Sequence, residues 1–299
     1  QKPLTDYVNP MLGTATLWDS VDLGFKPTKR TWGAEVFPGS ALPNAMVQVS
    51  PVTKFHSGAG YQYEDSVIYG FTHTNKGHWN LCHIPLLPVT GTPTPGDYCS
   101  PFSHERESAA PGYYQVFLDR YGVDAQLSST LRCAFHKYTY PAGAAPAVLA
   151  DLQRSNEHVR AWDIRKEGDN VFAGWQQTGE KMYFYAVANR PVTGIEPVVE
   201  GDREVRIVRF GEGDGALELR IGFSFVSEKN ARENLEAEML GKSFAEVRSE
   251  ATATWNDLLG RIRVEGGTER EKGLFYSSLY RSFHWPALRS DVNGEFTDV

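Results

Sequence analysis

Residues 112–141, GYYQVFLDRYGVDAQLSSTLRCAFHKYTYP, break into β-prone runs at 113–118, 123–131 and 133–140, punctuated by Tyr121-Gly122 and by Pro141. That succession predicts a meander of antiparallel strands. Working outward toward the C-terminus, further strands are predicted at 147–152, 159–166, 171–177 and 182–188. The turn signals EGDN (167–170) and GEGDG (211–215) predict two hairpin connections. The last run puts Leu217, Leu219, Ile221, Phe223 and Phe225 on one face and Ala216, Glu218, Arg220, Gly222 and Ser224 on the other, the alternation of a sheet with one dry face. On the N-terminal side, residues 1–60 are rich in Gly and Pro and read as short strands and turns. The expected fold is mainly β, a large antiparallel β-sandwich.

Beyond Ser227 the period changes. Ala231, Leu235 and Met239 recur every four residues behind Ser227, which is placed to cap a first helix. Ser243 and Glu246 form a capping box ahead of Phe244, Val247, Ala251, Trp255 and Leu258, and Thr268 and Glu271 repeat it ahead of Leu274, Phe275, Leu279 and Phe283. The third helix should stop near Pro286. Its apolar face needs a partner larger than the thirteen residues that follow, so it is expected to open a further domain.

A chain of 299 residues, 41% hydrophobic, can bury a large core. Its net charge of -7 and the lack of any Lys/Arg stripe exclude a nucleic-acid partner. No apolar run approaches the roughly 20 residues of a membrane span. The start, QKPLTDYVNP, lacks the segments of a signal peptide, which fits either a cytosolic protein or one whose signal has been removed. Cys82, Cys99 and Cys133 are expected as free thiols.

The chemistry concentrates in residues 61–88, YQYEDSVIYGFTHTNKGHWNLCHIPLLP. Two apolar runs, one ending at Phe71 and one starting at Leu81, flank His73, Asn75, Lys76, His78, Trp79 and Asn80. A tryptophan face beside amide, imidazole and ammonium groups suits a sugar, whose C–H groups stack while its hydroxyls bond. The same residues also suit a loop that packs its own tryptophan. Trp18, Asp19 and Trp32 sit in a second Gly-rich loop, either packed on the body or held for a ligand. His73, His78 and His83 are spaced five apart, so regular structure would not gather them on one metal. Adjacent Glu64 and Asp65 point to opposite sides of a strand and make no acid/base pair. DVNG at 291–294 reads as a turn rather than a calcium loop, and SHERES (103–108) as a solvated connection. G-x-S-x-G and phosphate-cradling loops are absent, and no convincing catalytic set is found.

These residues carry a resemblance. DYVNPMLGT (6–14), FPGSALPNAMVQVSP (37–51), GYQYEDSVIYGFTHT (60–74), LLPVTGTPTPGDY (86–98), the stretch 102–141 and the stretch 221–267 occur in order, and the chain resembles the N-terminal portion of a glycoside hydrolase family 92 α-mannosidase. The resemblance implies an N-terminal β-sandwich (supersandwich), a helical linker and a C-terminal (α/α)6 barrel, here divided as residues 1–226, 227–267 and a truncated start at 268–299. It also implies a secreted or periplasmic bacterial enzyme that removes terminal α-linked mannose from mannose-containing glycans, with inversion and with a calcium ion. An inverting pair of carboxylates stands roughly 6.5–9.5 Å apart across the sugar ring. The resemblance places both carboxylates and most calcium ligands in the barrel, so no catalytic or metal residue is expected in this chain, which alone should be inactive.

Two departures are specific. Where the family carries a Gly-Thr-Gly-Cys-like loop, Gly77-His78-Trp79-Asn80 stands here, and residues 17–36 look inserted. They bear on linkage and leaving-group preference and leave the sugar class intact. The expectation is that Trp18, Asp19, His78, Trp79 and Asn80 line the aglycone side of the pocket. The alternative for Trp79 and Trp32 is packing against the barrel. The alternative for the whole chain is a stand-alone carbohydrate-binding or structural module, or the same scaffold acting on another linkage.

Overall fold

The computed structural model describes residues 2–16, 21, 24–26, 35–77 and 81–298. Among them, two antiparallel sheets face each other across one large core. The first sheet runs, in spatial order, Ser40–Ala41, Gln48–Val52, Gly70–Thr72, Leu86–Val89, Ala147–Ala150, Arg203–Phe210 and Val192–Glu200. The second runs Ala161–Gly168, Val171–Gln177, Lys181–Ala188, Leu217–Ser224, Cys133–Thr139, Val123–Ser129, Tyr113–Leu118 and Glu107–Ala110. The predicted meander is present, with each strand paired to the next.

One connection differs from its reading. Residues 211–215 do not close a hairpin: Arg203–Phe210 pairs within the first sheet, Leu217–Ser224 within the second, and the turn carries the chain across the core. The hairpin actually present joins Val192–Glu200 to Arg203–Phe210. Gly194 and Pro197 weaken the strand signal of its first arm, and Pro is tolerated because that arm is the sheet's edge.

The alternation in Leu217–Ser224 holds until Gly222, where both faces become buried. Helix α1 (Glu228–Glu238) crosses there. A β-carbon at residue 222 would collide with the carbonyl oxygen of Ala231 and stand 2.7 Å from Leu235 Cβ. Helix α2 (Phe244–Leu259) continues this second layer, and Leu235, Met239, Phe244 and Val247 pack with Phe135 and Cys133. Ser227 caps α1, and both predicted capping boxes form, at α2 and at α3 (Glu269–Ser282).

A third apolar cluster joins α2, α3 and the N-terminus. Trp255, wholly buried, donates from Nε1 to the Ala41 carbonyl at 2.8 Å and packs 4.4 Å from the Tyr280 ring. The face of α3 that turns inward is Tyr276, Ser277 and Tyr280, while Leu274 and Phe275 remain 44% and 36% exposed. After α3 the chain runs back along the sandwich as a strap. Asn44 N donates to Phe283 O at 2.7 Å, Leu288 N to Asn44 O at 2.9 Å, and the buried Asp291 accepts from Ser224, Asn230 and Asn234. The turn predicted at 291–294 closes with Gly294 N on Asp291 O at 2.9 Å.

Candidate functional site

The strand Gly70–Thr72 ends where its partner at Leu86 begins, and the residues between form a stem rather than an open loop. His73 N donates to His83 O at 3.1 Å and Cys82 N to Thr74 O at 2.7 Å. Asn75 fills the stem: its Nδ2 donates to Gln48 O and Thr72 O, both at 3.0 Å, and its backbone N donates to Gln48 Oε1 at 3.1 Å. Cys82 and Ile84 on the returning arm have φ of 68° and 55°. A β-branched residue in that region costs about 1–3 kcal/mol and persists only where its surroundings impose it. Here the Gln176 carboxamide holds Ile84 N at 2.7 Å.

The stem corrects the reading of 73–76 as a presented polar surface. His73, Thr74 and Asn75 are buried because the ladder stops there and their side chains satisfy the backbone groups it leaves. His73 Nε2 lies 2.9 Å from His136 Nε2, and His83 sits between Thr74 Oγ1 (2.7 Å) and Thr178 Oγ1 (3.1 Å). Burial pushes His73 down to about 3 and His83 to about 4, so both are neutral core imidazoles. Glu64 accepts from Thr16 and Asp65 from Thr53, and neither lies on the strand that the spacing argument assumed. SHERES is not merely solvated: the Glu107 side chain is 1% exposed and accepts from Tyr61 (3.0 Å) and Tyr114 (2.5 Å), with His104 Nδ1 at 2.6 Å.

Lys76, also buried, contacts a half-exposed ring. Its ammonium lies 4.8 Å over the Trp285 ring, and Trp285 Nε1 approaches Lys76 O at 3.4 Å. Burial, then the charge of Arg289, lowers Lys76 to about 8, against the opposing pull of Glu180. Arg289 itself bonds Glu180 at 2.6 Å and covers Phe225 at 3.8 Å. Trp285 is 48% exposed. Gly77, at φ 103°, admits Glu35: a β-carbon there would stand 3.2 Å from the Glu35 carbonyl oxygen. On the opposite arm Asn156 N donates to Leu81 O at 2.8 Å, while its side chain binds His56 N (2.8 Å) and Gly58 O (3.0 Å).

Trp18, Asp19, His78, Trp79 and Asn80 lie outside the described residues, as does Trp32. The described residues beside them are placed: Gly77 and Glu35 touch, and Leu81 is tied to Asn156. Trp285, Arg289 and Asn156 had no sequence signal beyond an aromatic residue just past a helix stop. Among the described residues no group of three or more His, Cys, Asp or Glu converges as metal ligands.

The model of the glycosyl hydrolase family 92 N-terminal domain matches residues 7–234, and that of the family's catalytic domain matches residues 230–299. The chain belongs to glycosyl hydrolase family 92. In family 92 terms the contact is shared, since Lys76 lies in the N-terminal match and Trp285 in the catalytic one. A family 92 α-mannosidase from Bacteroides thetaiotaomicron, solved with mannoimidazole, superposes at a TM-score of 0.87 with 26% identity, over 99% of this chain and 42% of that one. A family 92 inverting mannosidase from B. thetaiotaomicron VPI-5482 gives 0.82 and 25% identity, over 99% and 42%. An uncharacterized secreted glycosidase from Arthroderma benhamiae is 24% identical over 97% of this chain and 42% of its own length. The chain thus spans under half the length of these relatives. No described helix is long and apolar enough to cross a membrane.

Proposed function

We propose that this chain supplies the β-sandwich and helical neck of a secreted or periplasmic, inverting, calcium-dependent exo-α-mannosidase that removes terminal α-linked mannose from glycans. The observation that carries the reading is the Lys76–Trp285 contact: a half-exposed indole and a partly desolvated ammonium meet where the two family domains join. Ring stacking and charge-assisted hydrogen bonds to hydroxyls are what such a pair offers a pyranose. Trp18, Asp19, His78, Trp79 and Asn80 are assigned to the aglycone side of the same pocket.

Calcium takes six to eight oxygen ligands. Most of those ligands are assigned to the catalytic domain of the complete enzyme, as the family resemblance implies, and no step is derived through the ion. The role of this chain's own residues is to bind and orient the sugar and to shield it from water. Leu274 and Phe275, left 44% and 36% exposed on α3, weigh against a stand-alone binding module, although Leu279 and Phe283 of the same predicted face pack on the cluster around Trp255.

The deciding experiment pairs intact mass with release of mannose from an α-mannoside, with and without a calcium chelator. A mass well above 33.4 kDa and chelator-sensitive release support the reading. No release by the complete protein, or release from β-linked glycosides only, overturns it.

A further inference from the structure

On one side of the sandwich the edge strands of the two sheets, Ala161–Gly168 and Val192–Glu200, lie together, and a cleft of about 490 Å³ opens beside them. Trp162, on the first of these strands, lines it, as does Asp202, in the turn that joins Val192–Glu200 to Arg203–Phe210. Trp162 packs half-buried against the main core, and the Arg206 guanidinium, paired with Glu204 at 2.6 Å, lies 5.1 Å from its ring centre. The indole is therefore held before any ligand arrives, so little side-chain entropy remains to be lost on binding.

The polar groups of the cleft divide into committed and free. Arg203 bonds Asp151 at 2.7 Å, and Gln153 Oε1 accepts from Glu204 N at 2.8 Å, which leaves the Gln153 NH2 group as a donor. Arg160 is anchored by its backbone, which donates to Gln177 O at 2.8 Å. Its guanidinium, the His158 ring and the Asp202 carboxylate have no hydrogen-bond or ion-pair partner among the described residues, and all three residues are exposed. The cleft thus presents one free guanidinium and one free carboxylate, a balance that favours a neutral ligand over an ion. Planar donors and acceptors beside an indole match the hydroxyl pairs and the C–H face of a pyranose.

We propose that this cleft is a second, non-catalytic saccharide site, which holds a neutral sugar unit within a glycan chain. The sugar ring lies on Trp162, Asp202 and Arg160 take adjacent hydroxyls as acceptor and donor, and the Gln153 NH2 group donates to a third oxygen. The cleft shares no residue with the Lys76–Trp285 contact. That it anchors the chain whose terminal mannose is removed rests on the mannosidase reading; binding of the sugar does not.

The test measures binding of the complete protein to immobilised α-mannan by biolayer interferometry, with turnover of a small chromogenic α-mannoside followed in parallel. Saturable binding that salt leaves unchanged is expected. Trp162→Ala should weaken it about 10-fold, and Arg160→Ala or Asp202→Ala about 3-fold, with turnover of the small mannoside unaltered. Arg160 and Asp202 are exposed, so their variants report even if loss of the indole disturbs packing. Wild-type protein that does not bind mannan, or variants that bind it unchanged, overturn the site. Binding abolished by salt overturns the neutral ligand, and variants that slow turnover in step with binding place the cleft in the active site and overturn its separate role. Protein that binds mannan through Trp162 yet releases no mannose would sink the mannosidase reading and leave this cleft standing.

Discussion

Ala231 on α1 occupies the space that a side chain at Gly222 would need, so the carbonyl of one and the bare α-carbon of the other set the distance between helix and sheet. The contact is with backbone, which cannot rotate away. Gly222→Ala should therefore destabilise the fold by about 3 kcal/mol or more, at the upper end of overpacking costs. Chemical denaturation measures it, and a loss under about 1 kcal/mol would mean that α1 shifts freely.

Four buried imidazoles predict acid lability. Burial holds His73 and His284 at about 3, His83 at about 4 and His136 well below its ordinary value, with His73 adding to the last. The unfolded chain takes up these protons near pH 6.5, so stability is complete above that pH and falls as pH drops toward 4. Each histidine contributes a slope of about 1.4 kcal/mol per pH unit in that window. Unfolding free energies between pH 7 and 4.5 should fall steeply; a flat profile would mean that these rings are hydrated.

Trp285→Ala in the complete enzyme should raise KM for a mannoside about 10-fold or more, as expected for loss of a stacking ring, while changing the melting temperature little. Trp79→Ala should do the same if Trp79 lies where its sequence position suggests. Unchanged KM in both would remove the aromatic contribution to binding.

Lys76 predicts a pH effect of its own. With its ammonium lowered to about 8, the charge is present at neutral pH and fades above pH 8. KM should rise between pH 7 and 9, and Lys76→Met should abolish that rise; a Met variant with the same profile would place the titration elsewhere.

Caps provide the mildest test. Ser243→Ala and Thr268→Ala each remove an oxygen that accepts from the third helical N–H, and each should cost about 1 kcal/mol. The Ser243 change should lower global stability, because α2 carries Trp255 into the core.

Local rules served where the physics is local. The meander, the strand Val171–Gln177, the three helix caps and the change of period at Ser227 all follow from alternation, turn residues and hydroxyl–carboxylate spacing. Partner choice does not, because period 2 assigns a face and not a neighbour; residues 211–215 look the same whether they turn a hairpin or cross the core. Polar residues mislead for a related reason. His73, Asn75 and Glu107 have the composition of a wet loop, and only the placement of Gln48, His136 and Tyr61 turns them into satisfied interior groups. Trp285 was illegible because its partner, Lys76, is distant in sequence.

The strap that follows α3 also bears on how such enzymes can be rearranged over evolution. Asp291 belongs to the stretch matched by the catalytic domain, yet its carboxylate is received by Ser224, Asn230 and Asn234 at the foot of the sandwich. A recombination breakpoint just after residue 234, where the N-terminal match ends, would give one product a buried cluster of orphaned donors and the other a carboxylate without its cradle. The two modules are therefore stitched to be inherited as a single block, and shuffling either onto a foreign partner should select against itself at the level of folding.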